Sequence, residues 1–391
     1  MGFVCPTPRR SNHPEEISSM PKIRVLVVDD SVVIRRLISE ALSADPAIEV
    51  VGSAANGRIA LEKIPQVNPD LISLDVEMPE MDGLATLAVI RKTYPRLPVI
   101  MFSSLTERGA AVTLEALTLG ASDYVTKPAN VGNLQNALES VREEILPKIK
   151  ALCSRGDAHP LRTTPFPDVP RAKLPDRPPA SQARVAARNP VQIVAVGVST
   201  GGPNALAALM PVFPAGFPVP IVIVQHMPPI FTKLLADRLA TKASIAVKEA
   251  VKGTVLKPGT AWIAPGNFHM VVQREGVNPV LNLNQDPPEN SCRPAADALF
   301  RSVAQVYGAS TLAVVLTGMG QDGLRGCEAI HECGGQILIQ DEASSVVWGM
   351  PGFVARAGLA DKELPLDQLG HEIMRRVQNG QVKIARGISG A

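Results

Sequence analysis

The sequence predicts an α/β protein of two domains, each a doubly wound parallel sheet. Short runs rich in Val and Ile alternate with longer amphipathic segments in both halves, a pattern typical of βαβ units. At 391 residues the chain is too long for one ordinary core. Between Asp157 and Asn189 the apolar periodicity stops, and prolines alternate with Arg and Lys, which favours a solvated tether. We therefore expect a disordered extension at 1–21, a first domain at 22–145, a linker at 146–190 and a second domain at 191–385.

Composition excludes several classes of protein. The net charge of +2 gives the chain no general attraction to nucleic acid or acidic membranes. The 5 cysteines are odd in number and lack C-x-x-C spacing, which indicates neither disulfide pairing nor a zinc site. The longest apolar stretches are strand-sized, and the first twenty residues contain no continuous apolar core. We expect a cytoplasmic protein that neither enters a membrane nor binds nucleic acid.

The first half contains five short apolar runs that predict strands. They are Ile23 to Val28, Val50 to Ala54, Leu71 to Leu74, Val99 to Phe102 and Asp123 to Val125. Polar residues follow four of these strands: Asp29, Asp30, Asp75, Ser103 and Lys127. Because the carboxyl ends of parallel strands face one crevice, we expect these side chains to lie together.

Crowded carboxylates in this crevice repel one another and call for a cation. Lys127 and a bound Mg²⁺, which prefers oxygen ligands, meet that need together. Asp75, on the central strand, can then act as a nucleophile toward a phosphoryl group. A single Asp after a strand is more often a helix cap, but five suitable residues at four strand ends favour a site.

Four segments of this half resemble the response-regulator receiver family over residues 22–145. They are VVDDS (Val27 to Ser31), LDVEMPEMDG (Leu74 to Gly83), FSS (Phe102 to Ser104) and YVTKPA (Tyr124 to Ala129). The resemblance implies a flavodoxin-like receiver fold and phosphorylation of Asp75 by a chemotaxis histidine kinase. The implied Mg²⁺ ligands are Asp29, Asp30, Asp75 and the backbone carbonyl of Glu77, and the implied switch residues are Ser103, Tyr124 and Lys127.

In the second half, a serine lies on a glycine-rich turn after a buried strand. The strand Val191 to Val196 leads into Gly197 to Pro203, and a helix-like segment, Asn204 to Met210, follows. Small residues around Ser199 let the chain bend sharply and expose the hydroxyl near a helix start. A simple helix cap and a phosphate-binding loop remain alternatives.

The next strand favours hydrolysis over nucleotide binding. Val219 to Val224 ends in Gln225-His226, whereas a dinucleotide site needs an acidic residue there. His226 can act as the base, although His269, also downstream of an apolar strand, is a competing candidate. The strand Thr311 to Leu316 leads to Asp322, which can orient the imidazole.

Four further segments look like the catalytic domain of CheB-type chemotaxis protein-glutamate methylesterases, from about Val191 to Gly358. They are GVSTGGP (Gly197 to Pro203), VQHMP (Val224 to Pro228), APGNFHM (Ala264 to Met270) and LTGMGQDG (Leu316 to Gly323). The resemblance implies a three-layer α/β/α domain that needs no cofactor and demethylates methyl-accepting chemoreceptors. It assigns Ser199, His226 and Asp322 to catalysis and the backbone N–H of Met319 to the oxyanion; deamidation of receptor glutamines is a further expectation.

Regulation and rival functions follow from the two-domain plan. The receiver can lie across the Ser199 crevice, so we expect autoinhibition that phosphorylation relieves. A DNA-binding response regulator is an alternative, but the second half lacks a recognition-helix charge pattern. A catalytically silent binding module is another. Trp348 and Met350 border the substrate groove or pack in the core, and core packing is favoured.

Overall fold

The computed structural model describes residues 21–128, 134–153 and 189–388. The first domain contains a parallel five-stranded sheet in the order β2-β1-β3-β4-β5. Its strands are β1 (Ile23–Val28), β2 (Ile48–Ala54), β3 (Leu71–Asp75), β4 (Val99–Ser103) and β5 (Asp123–Thr126). The predicted doubly wound sheet is confirmed, and only the strand ends differ from the predicted ones.

Helices cover both faces of this sheet. They are α1 (Val32–Ser43), α2 (Gly57–Val67), α3 (Gly83–Thr93), α4 (Glu107–Thr118) and α5 (Leu134–Cys153). A polar side chain accepts a hydrogen bond from a backbone N–H at the start of each of the first four helices: Ser31, Asn56, Asp82 and Thr106. Leu37, Ile38 and Leu42 of α1 are fully buried against the sheet. The helices therefore begin at caps and are held by an apolar face.

Helix α5 continues beyond the domain boundary that the sequence predicts at residue 145. Ile149 and Leu152 remain buried, so the apolar face that holds the helix extends almost to Cys153. The start of the predicted linker is thus helical. Its Pro- and Arg-rich part, at 154–188, and the predicted extension at 1–20 lie outside the described residues, and the domain boundaries stay a prediction.

The second domain is a larger α/β unit. Its strands are β6 (Ile193–Val198), β7 (Ile221–Gln225), β8 (Ala246–Glu249), β9 (Thr260–Ile263), β10 (His269–Glu275), β11 (Asn278–Asn284), β12 (Thr311–Val315), β13 (Gln336–Gln340) and β14 (Lys362–Leu364). Seven of them form a parallel sheet in the order β14-β13-β12-β6-β7-β9-β8. Strands β10 and β11 form a separate antiparallel hairpin.

Six helices complete the second domain: α6 (Gly202–Leu209), α7 (Phe231–Ala240), α8 (Ala296–Tyr307), α9 (Leu324–Glu332), α10 (Met350–Arg356) and α11 (Leu366–Ile388). Alternate residues of β6 enter two different cores. Val194 and Val196 pack with residues of α6 and α7, while Ile193 and Ala195 pack with residues of α8. This alternation confirms the predicted three-layer arrangement, because a central strand must be covered on both faces.

The two domains contact each other through α4 and β5 of the receiver and α6 and α7 of the second domain. The rings of Tyr124 and Phe231 stack with centroids 4.8 Å apart and planes 7° apart. The side-chain amide of Asn204 donates to the Leu117 carbonyl at 2.7 Å. One apolar cluster runs through both domains. Within the described residues, no helix has the length and apolar character needed to cross a membrane.

Candidate active site

Strand order brings the three predicted residues to one lip of the second sheet. Strand β6 lies between β12 and β7. The chain after β6 runs to β7 on one side and the chain after β12 runs to β13 on the other, which creates a crevice at the carboxyl ends of β6 and β12. Ser199 follows β6 directly, and His226 follows β7. The His226 N–H donates to the Val198 carbonyl at 3.2 Å, so the two turns are adjacent.

The Ser199 turn is held closely against the loop that follows β12. The Ser199 N–H donates to the Thr317 carbonyl at 3.0 Å. Gly318 packs against the nucleophile: a Cβ at this position would lie 2.8 Å from Ser199 Cβ and 2.4 Å from the sulfur of Met350. A larger residue would force this loop apart, which explains glycine in the motif.

His226 and Asp322 form a short hydrogen bond. His226 Nε2 donates to Asp322 Oδ2 at 2.7 Å, since the carboxylate can only accept. Burial alone would lower the pKa of His226, but Cys292 and the Asp322 carboxylate raise the pKa above its ordinary value. An imidazolium is therefore stabilised at this position, as a general base would require.

Backbone donors at a helix start hold Asp322. Its carboxylate accepts from the N–H groups of Ala296 at 2.6 Å and Asp297 at 3.0 Å, at the N-terminus of α8. The Asn290 side chain adds a donor at 3.1 Å. Burial opposes ionisation, yet the bonds to His226 and to these donors lower the pKa of Asp322. The carboxylate is fixed in position and stays charged.

The hydroxyl of Ser199 is not hydrogen-bonded to the imidazole in the described part of the chain. Nδ1 of His226 instead faces the sulfur of Cys292 at 3.6 Å. In unbound enzymes catalytic hydrogen bonds are often long or misaligned and tighten with substrate. Proton transfer from Ser199 needs the imidazole to exchange its Cys292 contact for the hydroxyl.

The structure gives the competing residues structural roles. His269 is buried; Nε2 donates to the Pro287 carbonyl at 3.1 Å, and Nδ1 accepts from the Ala295 N–H at 3.2 Å. Both ring nitrogens of His269 are bonded to backbone groups, whereas His226 bonds to the Asp322 carboxylate on a turn adjacent to that of Ser199, which supports His226 over His269 as the base. Met350 is fully buried, as expected for a core residue, whereas Trp348 is half-buried and donates to the Gln340 carbonyl at 2.9 Å.

Met319 offers a free backbone donor beside the nucleophile. The neighbouring Gly318 N–H is committed to the Val347 carbonyl at 2.9 Å. The Met319 N–H has no acceptor among the described residues. An unpaired N–H near the serine suits an oxyanion, which needs donors already in place.

The receiver residues gather as the sequence predicts. The ammonium of Lys127 lies 2.8 Å from Asp75 Oδ1 and 3.1 Å from Asp29 Oδ2. Burial, together with the charge of Asp29, raises the pKa of Asp75 to about 6. Although burial would lower the pKa of Lys127, the two carboxylates raise it. The cluster therefore carries unfavourable buried negative charge.

This carboxylate cluster fits a divalent cation. Oxygen atoms of Asp29, Asp30 and Asp75 lie within 4.8 Å of one another. Asp75 Oδ2 is buried and has no hydrogen-bond partner within the described residues. Glu77 directs its side chain to Arg108 at 3.5 Å, and its N–H donates to Asp75 at 3.4 Å. An oxygen-only donor set of this kind suits Mg²⁺.

Of the predicted switch residues, Lys127 lies within the carboxylate cluster, Ser103 bonds to α4, and Tyr124 contacts the second domain. The Ser103 hydroxyl donates to the Gly109 carbonyl at 3.1 Å. Tyr124 is buried against Phe231, and burial raises its pKa well above the usual range. Next to the nucleophile, the Thr200 hydroxyl donates to Asp123 Oδ2 of the receiver at 2.7 Å. The receiver thus contacts the residue that follows Ser199.

Sequence reasoning missed three site residues: Gln225, Asn290 and Cys292. A polar residue at the end of the apolar run Ile221–Gln225 was a signal for Gln225. The turn that carries Asn290 and Cys292 had no such signal, because it meets His226 only through tertiary packing.

Two family descriptions match the chain. "CheB methylesterase" matches residues 194–373, and "Response regulator receiver domain" matches residues 25–139. A protein-glutamate methylesterase/protein-glutamine glutaminase of Trichodesmium erythraeum is 58% identical over 92% of this chain and 100% of the relative. One of a Nocardioides species is 52% identical over 92% of this chain and 96% of the relative. The Thermotoga maritima CheB methylesterase catalytic domain is 41% identical, covers 47% of this chain and 98% of its own, and gives a TM-score of 0.47.

Proposed function

Because the chain belongs to the protein-glutamate methylesterase/protein-glutamine glutaminase family, we propose that Ser199, His226 and Asp322 carry its catalysis. The enzyme demethylates glutamate methyl esters on chemoreceptors and deamidates receptor glutamines, under the control of a receiver domain. The main support for these three residues is the 2.7 Å hydrogen bond between His226 and Asp322, at the edge of the sheet next to Ser199. A DNA-binding output and a silent binding module find no support.

The first chemical step forms an acyl-enzyme. His226 takes the proton of the Ser199 hydroxyl, and Ser199 Oγ attacks the carbonyl carbon of the glutamyl methyl ester. The Asp322 carboxylate stabilises the resulting imidazolium, and the Met319 N–H donates to the tetrahedral oxyanion. The carbon–oxygen bond to the methoxy group then breaks, and the imidazolium returns its proton to release methanol.

The second step restores the serine. Water gives a proton to His226 and adds to the acyl carbon, and the bond to Ser199 Oγ breaks as the serine recovers its proton. The products are a receptor carboxylate and free enzyme. Deamidation follows the same course with ammonia in place of methanol as the leaving group.

Phosphorylation of Asp75 controls this chemistry. Receiver domains take their phosphoryl group from a histidine kinase and bind Mg²⁺ at the site. We assign the ion to Asp29, Asp30, Asp75 and the Glu77 carbonyl, where it would neutralise charge on the transferred oxygens. Lys127 supplies a positive charge from the protein itself. A chemotaxis kinase is the proposed donor, and a cytoplasmic location follows from that partner.

Autoinhibition by the receiver is supported by the contacts around the nucleophile. Asp123 accepts from Thr200, the residue after Ser199, while Tyr124 stacks on Phe231 of α7. In this arrangement the receiver occupies the side of the crevice next to the serine. Rearrangement of Ser103 and Tyr124 on phosphorylation releases these contacts and opens the site.

A fluorophosphonate probe tests the serine assignment directly. The phosphorylated full chain should react through Ser199, as located by peptide mass spectrometry, because only an activated hydroxyl attacks this electrophile. Ser199→Ala should remain unlabelled, and His226→Gln should react far more slowly. Labelling of Ser199→Ala to the wild-type extent would overturn the assignment. Ser104→Ala, a receiver serine variant, is the matched control and should label normally.

A further inference from the structure

Gln225 is a buried residue of the crevice that the chemistry above does not use. It is the last residue of β7 and only 2% exposed. Its side-chain nitrogen donates to the backbone carbonyl of Ser199 at 3.0 Å and to that of His226 at 3.3 Å. Since both neighbours are acceptors, the amide must present its nitrogen to them. One side chain therefore joins the turn of the nucleophile to the turn of the base.

The other end of the amide has an unfavourable environment. Its oxygen is buried and has no hydrogen-bond partner among the described residues. It lies so close to Gly202 that a Cβ there would come within 1.9 Å of it. An unsatisfied buried oxygen is destabilising, and such groups call for an explanation. Packing alone does not explain a glutamine here, because an apolar side chain of similar size would avoid the cost.

The Ser199 carbonyl is otherwise held by local contacts alone. It accepts from the Gly202 N–H at 2.8 Å, within its own turn. The backbone link between the two turns is the bond from the His226 N–H to the Val198 carbonyl. Gln225 adds a second link that fixes the carbonyls of both reacting residues relative to one another.

We infer that Gln225 is a positioning residue that sets the separation between Ser199 and His226. The inference rests on the proposed function, because it gives these two residues their catalytic roles. Proton transfer between hydroxyl and imidazole depends steeply on distance, and a displacement of about 1 Å can cost on the order of 100-fold in rate. Gln225 acts through the backbone and does not touch the substrate.

Gln225→Glu keeps the shape of the side chain and removes the donor. In the phosphorylated full chain, methanol release from methylated receptor should show a kcat about 10- to 100-fold below wild type near pH 8, with KM within about twofold. A buried glutamate between two carbonyls takes up a proton as the pH falls, and the neutral acid can donate again. The ratio of variant to wild-type kcat should therefore rise as the pH is lowered.

Gln225→Met separates this rescue from a loss of folding. It lacks both donor and charge, so its kcat should fall without recovery at low pH. Gln336→Glu, at a buried glutamine that begins β13 and accepts from Arg376, is the matched control and should retain wild-type kcat. Melting temperatures of all variants identify any that do not fold.

Two results would overturn the inference: wild-type kcat and pH dependence in Gln225→Glu, or a loss confined to KM. Ser199→Ala in the same assay tests the proposed function separately. If it keeps activity, the serine assignment fails; if it is inactive while Gln225→Glu and Gln225→Met behave as wild type, only the positioning role fails.

Discussion

At the scale of single residues, the site depends on which charges are buried and what faces them. Asp322 is kept ionised by backbone N–H groups at the start of α8 as well as by His226. Asp75 has one long bond of this kind, from the Glu77 N–H at 3.4 Å, and its neighbours include a second buried carboxylate, Asp29. The first carboxylate is therefore a stable partner of the base, and the second is destabilised and ready to accept a phosphoryl group.

The pH dependence of the esterase should report the environment of His226. A general base must be neutral, so kcat/KM rises with pH through the pKa of His226, which lies above the ordinary histidine value of about 6.5. Cys292→Ala removes the group that contributes most to raising this pKa. We predict that the rise moves to lower pH, as measured from pH–rate profiles. Cys333→Ala, at an exposed cysteine, should leave the profile in place, and an unmoved profile in Cys292→Ala would contradict the role of the thiol.

Asp75→Asn should stabilise the chain at neutral pH without Mg²⁺. The pKa of Asp75 is raised in the folded state, so its ionisation above the unfolded value near 3.8 lowers stability as pH rises toward about 6. Removing the charge should raise the free energy of unfolding at pH 7 by on the order of 2 kcal/mol. Chemical denaturation at pH 4 and pH 7 measures this, and the gain should shrink at pH 4. Asp30→Asn, at an exposed carboxylate, is the control; an equal gain at both pH values would argue against the mechanism.

At the scale of elements, the contact between β5 and the Ser199 turn links the receiver to catalysis. Asp123 accepts from Thr200 and also pairs with Lys148 of α5 at 3.6 Å. Asp123→Ala should weaken the contact between the receiver and the second domain by about 1 kcal/mol, the usual contribution of one hydrogen bond. The activity of the unphosphorylated chain should then rise about fivefold. Phosphorylated activity should not change. Asp45→Ala breaks the ion pair with Lys150 away from this contact and is the matched control; unchanged basal activity in Asp123→Ala would contradict autoinhibition.

The arrangement of strands and helices explains why the sequence predicts Ser199, His226 and Asp322 but not the residues that contact them. Ser199 and His226 follow buried strands directly, and strand ends in a parallel sheet converge by geometry, so apolar periodicity predicted that they lie together. The family resemblance then selected them over His269 and over a helix cap or phosphate-binding loop. Asn290 and Cys292 lie in a turn between β11 and α8, and its approach to His226 depends on how the hairpin packs on α8. The end of α5 at Cys153 depends likewise on the burial of Ile149 and Leu152, and the local sequence did not predict that burial.

At the scale of the whole molecule, α4 and β5 of the receiver contact α6, α7 and the turn of Ser199 in the second domain. Tyr124 lies on the receiver side of the contact, and Phe231 begins the helix that follows His226. We expect a change at Asp75 to reach His226 through the contact between Tyr124 and Phe231. Control of catalysis therefore depends on the contact between the two domains.

Methanol release from a methylated chemoreceptor, with and without a phosphodonor, tests this account most directly. Wild type should release methanol slowly, and faster once phosphorylated. Asp75→Asn should keep the slow rate of methanol release, and the phosphodonor should not increase it. Ser199→Ala should lose on the order of a thousandfold or more in kcat under both conditions. Methanol release by Ser199→Ala at the wild-type rate would contradict the central claim that this serine performs the hydrolysis.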